Sequence, residues 1–249
     1  MDRVAFSIFG IDIMWYGILI ASGILLAVLV SSREASRLGY KEGQVTDICL
    51  FAVPLGIVGA RLYYVAFNWS QYAGDFREII NIRGGGLAIH GGILAGILTV
   101  WIYTRIKKLE FFKTADILVL GLPMAQAIGR WGNFINGEAH GGPTNLPWAI
   151  LVDGQRVHPT FLYESVWDWL IFIYIIMIRK NKKYEGQLLV DYIFLYSLGR
   201  FFIEGLRTDS LMLGPIRMAQ LISLVGILAA LVVRYFLLKR KALEKESGK

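Results

Sequence analysis

The sequence predicts an all-α integral membrane protein of about seven transmembrane helices, with a small extracytoplasmic cap, the N-terminus outside and the C-terminus inside. Three observations carry that prediction. Of 249 residues, 55% are hydrophobic and only 18% charged, and the mean hydropathy is +0.52, far from the balance of a soluble domain. Seven windows are apolar over the roughly 20 residues that a spanning helix needs. Lysine and arginine also alternate from loop to loop, as they do when short basic loops stay in the cytoplasm.

The windows are 13–31, 46–67, 86–103, 115–132, 161–178, 187–206 and 216–238. No basic stretch and small-residue cleavage site accompany the first, so it is expected to be retained rather than removed as a signal. The second holds Cys49, the single cysteine; no disulfide can form within the chain, and a small buried hydrophobe is its expected role. The fourth contains Pro123 and ends in Arg130. Two connections are long, 68–85 and 133–160, and together they are expected to form the cap. Within the second, AILVD and RVHPT flank Asp153-Gly154, a hairpin signal. With no linker, low-complexity segment or repeat, residues 1–249 read as one polytopic domain.

Orientation follows from charge. The first, third and fifth loops and the C-terminal tail hold 17 Lys and Arg, whereas the opposite side holds five, Arg3, Arg77, Arg83, Arg156 and Arg207. The formal charge of +7 is thereby explained by membrane orientation, and nucleic-acid binding is not needed to account for it. Three histidines, no H-E-x-x-H and no Cys/His cluster leave no expected metal site.

The four remaining basic residues, Arg61, Arg130, Arg200 and Arg217, fall within spans or at their outer ends. Tyr196, Arg200, Glu204 and Arg207 recur at helical spacing and share one face, which must look into the bundle or a wet cavity. That stripe has two arginines for one carboxylate, and Arg130 adds another cation. A surplus of positive charge in the outer half of the membrane calls for an anion, and the arginine fork suits phosphate. The plainer readings are a self-neutralising Arg200–Glu204 pair and an Arg130 that snorkels to the interface. In RGGGLAIHGGILAG, Ala88, Gly92 and Gly96 form a small-residue face for close helix packing. His90 in the same segment is either a packing residue or a base of ordinary pKa near neutrality. Asn133, Asn136 and Glu138 follow Arg130, and Tyr16 lies at the same membrane level.

The stretch GRWGNFINGEAHGG at 129–142 resembles the signature of the prolipoprotein diacylglyceryl transferase family, G-R-x-G-N-F-x-N-x-E-x-x-G. Gly129, Arg130, Gly132, Asn133, Phe134, Asn136, Glu138 and Gly141 match it. The similarity extends through HGG at 90–92, HPTFLYE at 158–164 and the Y-x-x-x-R-x-x-x-E-x-x-R stripe at 196–207. One position departs: Phe161 stands where some members carry glutamine. The resemblance implies a multi-pass enzyme of the bacterial plasma membrane, with its active site toward the extracytoplasmic side. It would move the diacylglyceryl group of phosphatidylglycerol to the lipobox cysteine of a preprolipoprotein signal peptide, releasing glycerol phosphate, without metal or organic cofactor. The expected catalytic set is His90, Arg130, Tyr196, Arg200 and Glu204. The expected lipid-binding set is Tyr16, Arg61, Arg130, Asn133, Asn136, Glu138, Arg200 and Arg207. The alternative from another class is a phospholipid or anion carrier that uses the same arginines.

Overall fold

The computed structural model describes residues 2–82, 84–208 and 210–247. Arg83 and Lys249, which enter the charge asymmetry above, lie outside the described residues. In chain order the elements are β1 (Val4–Ile8), β2 (Ile11–Met14), α1 (Trp15–Arg37), α2 (Gln44–Phe67), α3 (Trp69–Tyr72), α4 (Phe76–Ile80), α5 (Ile89–Lys107), α6 (Phe111–Val119) and α7 (Leu122–Asn136). There follow β3 (Ile150–Val152), β4 (Gln155–Val157), α8 (Thr160–Ile178), α9 (Gln187–Glu204), β5 (Met212–Leu213), β6 (Ile216–Arg217) and α10 (Met218–Ser247). The chain divides into two compact units, one of residues 1–31 and 116–249, the other of residues 32–115.

Among the described residues, α1, α2, α5, α8 and α10 as far as Leu243 are long and apolar enough to cross a membrane. A sixth span results if α6 and α7, which meet at a bend of 40°, are taken as one. The bend has a local cause. Pro123 at the start of α7 has no N–H to donate, and its ring crowds the carbonyl one turn back, so α6 stops at Val119. The remaining predicted window, the sixth, is α9, whose 18 residues include Asp191, Arg200 and Glu204 and are too polar for the same criterion. These charges belong to the interior of the first unit.

Among the described residues there are three short antiparallel hairpins, one before α1 and two between helices. The predicted one is β3–β4, pairing Ile150 with Val157 around Asp153 (φ 48) and Gly154 (φ 77), the double left-handed turn that favours Asp-Gly. The β1–β2 and β5–β6 hairpins depart from the all-α expectation. The first turns at Phe9 (φ 51) and Gly10 (φ 76), and a phenylalanine in the left-handed region gives no turn signal in sequence. The second has strands of only two residues.

In the first unit, α1 and the α6–α7 segment run antiparallel along a seam of small residues. Tyr16 meets Gly132, Ile20 meets Gly129, Gly23 meets Ala125 and Ala27 meets Gly121. A methyl added to Gly121 would lie 2.5 Å from Ala27 Cα, and one on Gly132 would lie 2.6 Å from Tyr16 Cδ2. Because lipid tails are as apolar as leucine, such close van der Waals contact, not escape from water, holds membrane helices together. Deeper in this unit Val119, Leu120, Ile171, Ile175, Leu188 and Tyr192 form the buried cluster. Beside it, buried Asp116 accepts from Lys182 Nζ at 3.0 Å, Gly186 N at 2.8 Å and Leu189 N at 3.0 Å. Gly186 at the N-cap of α9 supplies no side-chain cap, so Asp116 of another helix satisfies those N–H groups and sets where α9 begins. Burial tends to discharge Lys182, but its contacts with Glu185 and Asp116 outweigh that and raise its pKa.

In the second unit α2 packs on α5 through Gly56, Gly59 and Ala60 against Gly91, Gly92 and Ala95. Of the predicted face Ala88, Gly92 and Gly96, Gly92 is in contact, since a methyl added there would lie 3.3 Å from Gly56 O, whereas Gly96 faces open space. The seam is rotated toward Gly91 and Ala95, and Ala88 joins it through its N–H, which donates to Ala60 O at 3.0 Å.

Arg61, expected to bind lipid, has a different occupation. It is buried, and it donates to Ile79 O (2.9 Å), Gly85 O (2.7 Å), Gly86 O (3.0 Å) and Glu78 O (2.5 Å) while lying 4.9 Å from the Tyr72 ring centroid. The donors that a phosphate would use are committed to the C-terminal carbonyls of α4 and to the following loop. Gly86 (φ 71) admits this approach, since a methyl there would sit 2.6 Å from Arg61 Nη1. Each buried carbonyl left without its donor costs about 1–3 kcal/mol. Arg61→Lys, which keeps the charge but not the fork, is therefore expected to accelerate hydrogen–deuterium exchange across residues 76–88 at least about tenfold while sparing α10. Unchanged protection of that loop would refute the assignment.

Candidate active site

The polar cluster is built from three helices of the first unit. From α7 comes Arg130, placed by the α1 seam, which approaches on either side of it at Gly129 and Gly132. From α8 come Glu164 and Asp168, one turn apart, and from α9 come Tyr196, Arg200 and Glu204. Arg207 follows just beyond the end of α9, its carbonyl accepting from Arg217 Nη2 at 3.1 Å. Tyr16, expected at the lipid site, presents its ring to Gly132, two residues from Arg130.

Glu164 is the centre of the arrangement. Its side chain is 4% exposed, yet Oε2 lies 2.9 Å from Arg130 Nη1, Oε1 is bonded by Arg200 Nη1, and Arg207 Nη1 lies 3.7 Å from Oε1. Arg200 also pairs with Glu204, Nη2 to Oε2 at 2.6 Å, and Arg207 Nε is 4.0 Å from the same oxygen. Arg130 Nη2 donates to the Tyr196 hydroxyl at 3.3 Å. One turn deeper the pattern repeats: the Tyr192 hydroxyl donates to Gln126 Oε1 at 2.8 Å, and the Tyr192 and Tyr196 rings stack with centroids 5.7 Å apart. The tyrosine pair thus registers α9 against α7. Asp168, 2% exposed, has its Oδ2 4.0 Å from Arg130 Nε.

This geometry corrects the expectation of surplus positive charge. Among the described residues the guanidiniums of Arg130, Arg200 and Arg207 face the carboxylates of Glu164, Asp168 and Glu204. Read along α9 alone, the stripe can be balanced only against itself, while the matching acids stand on α8. A signal for them exists in the sequence: Glu164 ends HPTFLYE, and two acids four residues apart on an otherwise apolar helix share one face.

The loop after α7 closes the cluster at the C-terminal end of that helix. Gly137 (φ 75) ends the helix, and Asn133 Nδ2 donates to Glu138 Oε2 at 3.4 Å. Asn136 contributes its carbonyl, which accepts from Arg3 Nη2 at 2.8 Å and so ties the N-terminal hairpin to the end of α7. Backbone bonds then stitch the loop to both neighbouring helices. Phe161 N donates to Ala139 O at 3.1 Å, Gly141 N to His158 O at 2.8 Å and Gly142 N to Leu206 O at 3.0 Å. Phe161 stacks on Phe134, centroids 4.4 Å apart, and meets Trp131 edge-on, so this position serves an aromatic wedge and not a polar network. His90 belongs to the second unit, where it stands exposed in the first turn of α5 with its ring 6.3 Å from that of Tyr63. The structure thus brings together Arg130, Tyr196, Arg200, Glu204 and Arg207, sets Asn133 and Glu138 at the adjoining helix end, and bonds Arg61 to backbone carbonyls within the second unit.

Chemically, the cluster holds charged donors ready for an anion. A guanidinium has five N–H groups, and in Arg130 the buried Nε makes no hydrogen bond among the described residues. A cavity of about 570 Å³ lies along the opposite faces of α8 and α9, lined by Trp148, Tyr163, Val166, Trp167 and Phe202 among others. None of the charged residues of the cluster lines it, so it is an apolar groove separate from the ionic site.

A family model described as prolipoprotein diacylglyceryl transferase matches residues 3–236. The chain is 64% identical over 240 residues to a phosphatidylglycerol–prolipoprotein diacylglyceryl transferase of Clostridioides difficile strain 630, covering 96% of this chain and 97% of that one. It is 54% identical to the protein of the same name from Finegoldia magna, over 94% and 95% of the two chains. A namesake from Clostridium kluyveri is 46% identical over 93% and 94%. With Arg130, Glu164 and Arg200 of three signature stretches meeting at one cluster and the match running through nearly the whole length, the chain belongs to the prolipoprotein diacylglyceryl transferase family.

Proposed function

We propose that the protein transfers the diacylglyceryl group of phosphatidylglycerol to the lipobox cysteine of preprolipoproteins, and that the arginine cluster is where the lipid phosphate is held. It is a multi-pass protein of the bacterial plasma membrane. The observation that carries the site assignment is the meeting of Arg130 and Arg200, from two separate motifs, on the single carboxylate of Glu164.

In the reaction the thiol sulfur attacks the glycerol carbon that bears the phosphate. The carbon–oxygen bond breaks, a thioether forms, and glycerol phosphate leaves with the bonding electrons. Negative charge grows on the phosphate oxygens in the transition state, and donors already oriented toward it need little reorganisation. Arg130 and Arg200 take this role. Glu164, Glu204 and Tyr196 hold the two forks in a fixed geometry, and Arg207 completes the cluster from the loop side. Asn133, Asn136 and Glu138 border the headgroup, and Tyr16 fixes α1 beside it. A thiol of ordinary pKa near 8.5 is mostly protonated at neutrality and needs a proton acceptor; the family resemblance alone offers His90 for that role, beside water or another group.

The site faces the outside in this reading. Seven spans, counting α6–α7 as one and α9 as another, place the N-terminus outside and the C-terminus inside, with loops 68–85 and 133–160 contributing a cap within a single polytopic domain. Reporter fusions after Lys183 and at the C-terminus are expected to report cytoplasm, and a fusion at Asn145 the exterior. An exterior C-terminus would invert the arrangement.

Arg130→Lys and Arg200→Lys are each expected to lower turnover by about 10²–10³, because a point-like ammonium cannot make a bidentate phosphate contact. Glu164→Gln should also lower thermal stability, since removing one partner from a buried ion pair costs about 3–5 kcal/mol. Lysine variants that turn over like the parent would displace phosphate binding from this cluster.

Purified protein given phosphatidylglycerol and a lipobox peptide should yield glycerol phosphate and a peptide heavier by one diacylglyceryl unit, in equal amounts by mass spectrometry. A Cys→Ser peptide should fail, and Cys49→Ala in the protein should leave the reaction intact. Lipid movement without consumption would indicate a carrier instead, and glycerol phosphate released without peptide a phospholipase.

A further inference from the structure

We propose that Asp168 is the proton-storing residue of this site: when a lipid phosphate occupies the arginines, the Asp168 carboxylate takes up one proton. This rests on the reading of the arginine cluster as the phosphate site.

Charge sets the requirement. Among the described residues, three guanidiniums already meet three carboxylates, so the cluster does not await an anion to neutralise it. Phosphatidylglycerol brings a phosphodiester that stays ionised throughout the ordinary pH range. A further negative charge in a buried, poorly screened site is strongly unfavourable unless something else gives one up. The arginines cannot adjust, being protonated under all working conditions. One of the carboxylates must.

Geometry selects which. Glu164 stands at 2.9 Å from Arg130 and is bonded directly by Arg200. Glu204 lies 2.6 Å from Arg200. The buried Glu164 Oε2, Glu204 Oε2 and Asp168 Oδ2 all make no hydrogen bond among the described residues, but the first two each lie within 3 Å of a guanidinium nitrogen, whereas Asp168 has only a 4.0 Å approach to Arg130 Nε. The groups acting on it are Arg130 from α7, Glu164 from its own helix, and Arg200 and Tyr192 from α9. Two of these, Glu164 and the tyrosine, add nothing that favours a carboxylate anion, and a phosphate that draws the Arg130 and Arg200 forks toward itself weakens the two that do. Protonation converts the carboxylate to the neutral acid, turns an orphan acceptor into a donor for the incoming phosphate or for Glu164, and breaks no bond in the lipid. The proton comes from water and returns to it when glycerol phosphate leaves.

By linkage, an added proton on binding makes affinity fall as pH rises, up to tenfold per pH unit over the range in which Asp168 is ionised in the free protein. The test is calorimetric titration of the full chain in detergent with a short-chain phosphatidylglycerol, between about pH 6 and pH 9, in two buffers of different ionisation heat. The parent is expected to take up close to one proton per lipid at the upper end of that range. Asp168→Asn is expected to bind with no pH dependence of that size and no such uptake. Binding by the parent without proton uptake would overturn the proposal, as would an Asp168→Asn variant that keeps the parent's uptake. Should Asp168→Asn not fold, the two-buffer comparison on the parent and on Asp168→Ser decides the matter. Arg130→Lys separates the two levels of the argument: undiminished lipid binding by that variant would remove the phosphate from this cluster, whereas weakened binding with no uptake in the parent would leave the site standing and discard the role of Asp168.

Discussion

The buried carboxylate of Glu164 is the constraint around which the first unit is organised. Three arginines from two helices and a loop could not be brought together in a membrane by packing alone, since each would carry an uncompensated charge into hydrocarbon. A single acid near the start of α8, favoured there by the positive end of the helix dipole, lets them approach. It does so with hydrogen-bonding direction, so the guanidinium planes are fixed as well as near. An enzyme that must meet charge only as it develops benefits from donors that are held in place before the substrate arrives.

That precision is prepared elsewhere. Asp116 sets the first turn of α9 from a neighbouring helix, and the Tyr192–Tyr196 stack sets its rotation against α7. The small-residue seam with α1 sets the depth of α7, and the loop beyond Gly137 is hydrogen-bonded to the ends of α8 and α9. Arg130, Glu164 and Arg200 are therefore each located by contacts that are not themselves part of the ionic cluster. In the second unit Arg61 does comparable work for its loop, using its fork on backbone carbonyls.

Much of this is readable from residues. The apolar windows correspond to helices, the Asp153-Gly154 turn to a hairpin, and the stripe Tyr196, Arg200, Glu204 to one face, because each depends on local periodicity or local turn chemistry. What sequence does not supply is pairing between distant segments. The acids answering the arginines stand 34 or more residues from Arg130 in the chain, so counting charges along one helix leaves a surplus that folding removes. Arg61 illustrates the converse: an arginine in a span suggests an anion, but the partners it meets are carbonyls, which no residue code reveals. Gly91 and Ala95 replace Gly96 in the α2–α5 seam because two small-residue stripes lie one position apart on the same helix, and only the partner chooses between them. The Phe9-Gly10 hairpin is silent in sequence because its turn uses a residue that pattern rules exclude.

The break at Leu120 and Gly121 gives the signature helix a phase of its own. In a continuous helix, every residue inserted upstream would turn Arg130 by about 100° about the axis and carry it away from Glu164. With the helix interrupted just before Pro123, the angular position of Arg130 is referred to a new starting point eight residues away, and length changes in the basic loop before α6 can be absorbed at the joint. The proline that looks like a flaw in a membrane span thus insulates the reactive end of the helix from the history of the loop that precedes it.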